Sequence, residues 1–122
     1  RWLSATTDGR RWLAVHTPHI AGVLHEYRCE GAELKAARVV DGVSNHALGA
    51  RRLDLAAWHG PWLLVPDQPR RRLLLLDGRH GWRESHAWAL PSRVAATASL
   101  GGDRGVAVLQ EDGGVVVVRP GA

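Results

Sequence analysis

Thr7-Asp8-Gly9-Arg10-Arg11-Trp12-Leu13-Ala14-Val15-His16-Thr17-Pro18 lines up with Trp58-His59-Gly60-Pro61-Trp62-Leu63-Leu64-Val65-Pro66-Asp67-Gln68-Pro69. Both line up with Gly102-Asp103-Arg104-Gly105-Val106-Ala107-Val108-Leu109-Gln110-Glu111-Asp112-Gly113. Each stretch is a glycine-containing turn, four or five apolar residues, and a second turn closed by Pro or Gly. Such punctuation brackets short strands, because Gly and Pro supply the backbone angles that turns need. Trp12 and Trp62 lie 50 residues apart, and Trp62 and Val106 lie 44 apart. Self-similarity at that period marks a repeated unit that buries its apolar faces only against its neighbours.

A strand-only period of this length is the range of propeller blades, each a four-stranded antiparallel sheet. An innermost strand is expected before each matched segment, at residues 2–6, 53–57 and 95–100. The matched strands follow at 12–15, 62–65 and 106–109, and third strands at 20–28, 72–77 and 115–119. Outer strands are expected at 34–40 and 82–90, with none for the last repeat. The expected fold class is thus all-β: a β-propeller segment of about three four-stranded antiparallel blades, the last incomplete. Blade one covers about residues 1–42, blade two about 51–91 and a partial blade three about 94–122, in one segment of 122 residues.

The run Leu73-Leu74-Leu75-Leu76 lacks alternation, as strands buried on both faces do. A helix competes only at residues 31–40, where Ala, Leu, Glu and Lys are good helix formers. That stretch spans less than three turns between Gly31 and Gly42, which is marginal for a helix. The corresponding 82–90 segment alternates Trp82, Glu84, His86 and Trp88 against Arg83, Ser85, Ala87 and Ala89. Strand is the better expectation for both.

Asp103-Arg104-Gly105-Val106-Ala107-Val108, followed by Glu111-Asp112-Gly113-Gly114-Val115-Val116-Val117-Val118, resembles a bacterial WD40- or YVTN-type propeller blade. In that family a turn and strand of the form D-G-x-x-L-A-V lead into D-G-x-V-x-V. The Gly-His and Trp-Asp dipeptides of orthodox WD40 repeats are absent. The Arg-rich, Ala-rich composition is similar to actinobacterial sequences, and to the propeller components that accompany MoxR ATPases and von Willebrand A proteins. The resemblance implies an interaction scaffold and no cofactor.

Composition narrows the classes further. The 122 residues carry 16 Lys plus Arg against 12 Asp plus Glu, a net charge of +4, and are 45% hydrophobic. No run approaches the roughly 20 apolar residues of a membrane-spanning helix, and no membrane partner is expected. Cys29 has no intrachain partner, which excludes a disulfide scaffold. A modest positive charge without a basic motif interleaved with aromatics argues against nucleic acid. Arg1 is not a translation start, so the chain is expected to come from a longer protein whose remaining blades lie in the parent chain or in a symmetry mate. The compartment is left open, with the cytoplasm favoured.

Strand alternation sorts the connections onto two faces of such a segment. One face collects His16, His19, Asn45, His46, Arg51, Arg52, Asp67, Arg70, Arg71, Arg93, Glu111 and Asp112. The other collects Asp8, Arg10, Arg11, His59, Arg79, His80, Asp103 and Arg104. The first face holds the densest charge run, Arg70-Arg71-Arg72, whose guanidinium groups suit bidentate contacts to carboxylate or phosphate. The bland alternative is a solvated turn that keeps the strand behind it soluble.

Metal binding at His16 and His19 is not expected, since nothing nearby completes a ligand set. Trp12 and Trp62 are expected at equivalent packing positions. Trp82 and Trp88 share a side of an outer strand, where they either cover an edge or stack on a ligand. No catalytic motif occurs. The expected function is a non-catalytic scaffold for a protein partner, with Arg51, Arg52, Arg70, Arg71, Arg72, His16, His19, Trp82 and Trp88 as candidate binding residues. A carbohydrate or small-ligand module using exposed Trp, or a fragment of a propeller enzyme, is the alternative.

Overall fold

The computed structural model describes residues 5–7, 11–16, 22–43 and 56–120. Among them lie strands β1 Ala5–Thr7, β2 Trp12–His16, β3 Val23–Glu30, β4 Glu33–Asp41, β5 Ala57–His59 and β6 Trp62–Pro66. They continue as β7 Arg72–Asp77, β8 Arg83–Ala89, β9 Val94–Ser99, β10 Val106–Gln110 and β11 Val115–Val118, with two short 3-10 turns and no α-helix among the described residues. Three antiparallel sheets result: β1-β2-β3-β4, β5-β6-β7-β8 and β9-β10-β11, here called sheets 1, 2 and 3. The all-β expectation holds at that level.

The stretch with helix propensity is β4, paired with β3 from Glu30↔Glu33 to Val23↔Asp41. Gly31, at φ 64°, makes the tight turn that joins them. Pairing across this hairpin outweighs a local preference worth a few tenths of a kcal/mol per residue. Several strand boundaries are offset from expectation, among them β3 at Val23–Glu30 where 20–28 is expected, and two of the offsets bear on the candidate site. Trp58 and His59 belong to β5, whereas residues 53–55 lie outside the described part. Trp82 precedes β8 and sits in a left-handed turn at φ 64°.

Sheet 2 is buried on both faces. Leu63 and Val65 of β6, with Leu74 and Leu76 of β7, join Leu13, Val15 and Leu24 of sheet 1 in one core. Leu64, Leu73 and Leu75 point the other way and join Val94, Val106, Val108 and Val118 of sheet 3. Cross-strand pairs Leu63↔Leu76 and Leu64↔Leu75 keep each set on its own side. The unbroken leucine run is thus the middle layer of three, as its missing alternation implied.

Main-chain bonds between the turns repeat from sheet to sheet. The Val43 amide donates to the Gly22 carbonyl (3.0 Å), and the next turn's Gln68 amide donates to Gly42 (2.8 Å). One repeat later the Val94 amide donates to the Arg70 carbonyl (2.8 Å), and the Glu111 amide donates to Arg93 (2.8 Å). A dipeptide ending in valine therefore stitches each turn to the following one. Turn closure gives the same equivalence: Asp67 N donates to Arg72 O, and Gln110 N to Gly114 O. The carbonyls that receive the valine amide belong to residues with positive φ, Gly22 (58°) and Arg70 (63°), and Gly113 (88°) holds the same place in sheet 3.

These bonds align Leu63 with Val106, one residue away from the alignment of Trp62 with Val106. Facing settles the difference, because a slip of one residue sends every side chain to the opposite face. Trp12 and Trp62 are likewise not equivalent. Trp62 packs against the core between sheets 2 and 3. Trp12 alternates with the inward Leu13 and is 54% exposed.

Candidate functional site

At one end of the sheets the 67–71 turn is built around the buried carboxylate of Asp67. Its Oδ1 accepts from the amides of Arg71 (2.9 Å) and Arg72 (3.1 Å), and its Oδ2 accepts from Arg72 Nε (3.2 Å). The three consecutive arginines therefore do three different things. Arg72 is tied back to Asp67. Arg70 reaches across to sheet 3, donating to the Val94 carbonyl (2.7 Å) and to Glu111 Oε1 (2.9 Å). With its side chain only 13% exposed, Arg70 acts as a structural clasp.

Arg71 alone points outward, with no side-chain partner among the described residues. The arginine run is a turn with one free guanidinium, not a three-pronged anion clamp. His19, Arg51 and Arg52 lie outside the described residues. His16 pairs with Val23 through the backbone at the end of β2. The sequence end is extended by Gln110, buried at the place of Asp67, whose Oε1 accepts from the Ser92 amide (3.1 Å).

Trp82 and Trp88 do not form an exposed pair. Trp82 is 2% exposed and belongs to the core between sheets 1 and 2. The shared parity fails because Trp82 lies in the turn before β8, and because the register of β8 shifts between its pairs with Leu75 and Leu76. Trp88 is half-buried against the other core, with the His86 ring edge-on at 4.6 Å.

The opposite end carries the denser cluster of rings and cations. Arg11, from sheet 1, stacks 4.5 Å above the Trp82 ring and donates to the Gly78 carbonyl (2.5 Å). Trp58 Nε1 donates to Thr6 Oγ1 (2.6 Å), and the Trp58 ring meets Trp82 edge-on at 5.7 Å. These contacts close the seam between sheets 1 and 2. A Cβ at position 78 would come within 2.6 Å of the Arg11 guanidinium, so a larger residue there would push Arg11 off the Gly78 carbonyl.

Outside that seam, Asp77 accepts from the Arg79 amide (2.9 Å), from Arg79 Nε (3.1 Å), and at Oδ2 from His80 Nδ1 (2.9 Å). Hydrogen bonds from the Arg79 side chain, then from His80, hold the Asp77 carboxyl far below the usual carboxylate range. The same bond raises Arg79 above its ordinary value. The Arg79 guanidinium lies 5.3 Å from the Trp62 ring, and His59 stacks on that ring at 6.1 Å and 11°. Arg79, His80 and the half-buried rings of His59 and Trp62 form an outward platform that the sequence placed on the second face but ranked below the arginine run. The signal was present in Trp58-His59-Gly60-Pro61-Trp62, which puts two ring residues around one tight turn.

Among the described residues no three His, Cys, Asp or Glu side chains come close enough to share a metal ion. No helix there is long and apolar enough to cross a membrane. A scan against protein-family models, a search of curated proteins and a search of solved structures each return no match.

Proposed function

We propose that the chain is a segment of a WD40- or YVTN-like β-propeller that acts as a non-catalytic scaffold for a protein partner. The observation that carries this reading is the recurring stitch between turns, Gly22–Val43–Gln68 followed by Arg70–Val94–Glu111. A sheet that is buried on both faces and laced to each neighbour by the same main-chain bonds behaves as a blade in a series. The three sheets then serve as blades one, two and a partial three. Rigid sheets hold their turns in fixed positions, so the turns are the natural contact surface.

On this reading two outward groups meet the partner. Arg71 offers a free guanidinium at one end, and Arg79, His59 and Trp62 offer a cation over stacked rings at the other. Arg and Trp are the residue types that dominate binding energy at protein interfaces. The alternative of a sugar-binding tryptophan pair is weakened by the burial of Trp82.

The test places a photo-crosslinking residue at position 71, at position 79 and, as control, at Glu84 on β8. A partner captured from positions 71 or 79 and absent from the control supports the scaffold reading, provided that Arg71→Glu or Arg79→Glu abolishes its binding with unchanged circular dichroism. Equal capture from all three positions, or binding that survives both charge reversals, refutes it.

A further inference from the structure

The outer strands of sheets 1 and 2 are guarded against further pairing, and the end strand of sheet 3 is not. β4 carries Glu33, Lys35 and Asp41, and β8 carries Arg83 and Glu84. Each also holds one extra residue, Val39 or Ser85, against its neighbour. Charges and bulges of this kind keep an edge strand from accepting another chain. β11 has neither: it reads Val115-Val116-Val117-Val118 and pairs with β10 in unbroken register. It stands at the end of its sheet, where the matching strands β3 and β7 are flanked by β4 and β8.

Register says which groups face the open edge. Gln110 N donates to Gly114 O as Asp67 N donates to Arg72 O, so Val115 and Val117 stand where Leu73 and Leu75 stand in sheet 2. Hydrogen-bonded pairs alternate along an antiparallel ladder. Counted from the Gln110–Gly114 bond, Val116 and Val118 bond back to β10, while Val115 and Val117 turn their N–H and C=O groups outward. In sheet 2 the corresponding groups of Leu73 and Leu75 meet β8, opposite Trp88 and His86. Leu73 and Leu75 are 0% and 5% exposed, whereas Val115 and Val117 are 64% and 48% exposed. β11 is thus an inner strand by composition and an end strand by position.

We propose that the open edge of β11 docks one extended strand, supplied from outside residues 1–122, which pairs antiparallel to it as β8 pairs with β7. The inference rests on the propeller reading, through the equivalence of the three sheets, and extends it by naming what this edge binds. The chain's own outer strands define the chemistry of the occupant. A large ring residue falls opposite Val115, as Trp88 falls opposite Leu73, on the face that also carries Leu109. Charged residues follow toward the other end of the strand, as Arg83 and Glu84 do in β8. Main-chain bonds to Val115 and Val117 supply affinity, and the ring against the valine face fixes the register.

The test titrates the isotope-labelled chain with a synthetic peptide of the β8 sequence, Arg-Glu-Ser-His-Ala-Trp-Ala-Leu, and follows it by NMR. Saturable one-to-one binding is expected, with exchange of the Val115 and Val117 amides slowed at least about 10-fold. N-methylation of the peptide at Trp and His removes the amides that donate to β11, and should weaken binding at least about 10-fold. N-methylation at the Ala between them, whose amide points away, should change affinity by less than about threefold. Val117→Pro removes an outward N–H only, and should abolish binding with unchanged circular dichroism. The methylated peptides decide the question if that variant does not fold. Absence of binding, equal loss from all the methylated peptides, or a wild-type chain whose doubled mass Val117→Pro halves overturns the proposal. If the peptide does not bind while the Val94 and Glu111 amides stay protected from exchange, the propeller reading stands and only the docked strand falls. If those amides also exchange freely, the propeller reading falls with it.

Discussion

Arg70 combines a cost and a gain that substitution can separate. Its backbone sits at φ 63°, a conformation that disfavours any residue with a Cβ by about 1–2 kcal/mol. Against that, its guanidinium donates to the Val94 carbonyl and to Glu111 Oε1, at 2.7 and 2.9 Å. A hydrogen bond from a charged donor to a buried carbonyl contributes about 1.5–3 kcal/mol. The half-exposed pair with Glu111 adds roughly 0.2–1 kcal/mol. Arg70→Ala keeps the backbone cost and loses both bonds, so it should destabilise by about 2–3 kcal/mol. Arg70→Gly relieves the backbone and should recover about 1 kcal/mol of that loss. Glu111→Gln should cost under about 1 kcal/mol. Urea unfolding followed by tryptophan fluorescence measures all three. The reasoning is refuted if Arg70→Gly is as stable as wild type or more stable, because the guanidinium would then clasp nothing.

Other substitutions probe the remaining layers. Gly22→Ala places a Cβ 1.7 Å from the Val43 carbonyl oxygen at a φ of 58°, so the stitch must open; thermal unfolding should show a loss of at least about 2 kcal/mol. Leu73→Ala and Val115→Ala alter equivalent places with 0% and 64% exposure. In chemical denaturation of the single chain, the first should cost about 2–5 kcal/mol and the second under about 1 kcal/mol.

Asp77 has a folded-state pKa depressed below its unfolded value by Arg79 and His80. Its ionised form therefore stabilises the fold fully above the usual carboxylate range near pH 4, and that contribution fades as the pH drops toward the depressed value. The gap between wild type and Asp77→Asn in urea midpoint should be widest at neutral pH and shrink below about pH 4. A gap that grows on acidification would contradict the assignment.

The sheets were legible because turn glycines and prolines bracket short apolar runs, and because Leu73 to Leu76 admits no alternation. β4 was legible for a different reason, its length being too small for a stable helix. Facing was harder. Trp12 and Trp62 look equivalent in sequence but lie on opposite kinds of surface, since spacing between repeats does not fix strand parity when turn lengths differ by one residue. The arginine run misled for a related cause. Three adjacent side chains read as one charge patch, but the left-handed turn at Arg70 sends them to Val94, to solvent and to Asp67 in order. Nothing in composition signals that turn, because arginine rarely occupies that conformation. In the platform, the His59–Trp62 stack is signalled locally by the Trp58-to-Trp62 turn, whereas the approach of Arg79 from a separate turn is encoded by no local motif.

The central claim is that a valine-ended dipeptide laces each turn to the next, which makes the three sheets one continuous series. Amide hydrogen exchange by NMR tests it most directly at Val43, Gln68, Val94 and Glu111. Gln68 and Glu111 sit in turns at the ends of strands, where an amide without a partner exchanges as fast as unstructured chain. The stitch predicts that both are protected to the level of the Leu64 and Leu75 amides in the middle sheet, and that all lose protection together on unfolding. Rapid exchange at Gln68 and Glu111 beside slow exchange at Leu64 would contradict the claim, leaving three sheets that fold without being laced into a series.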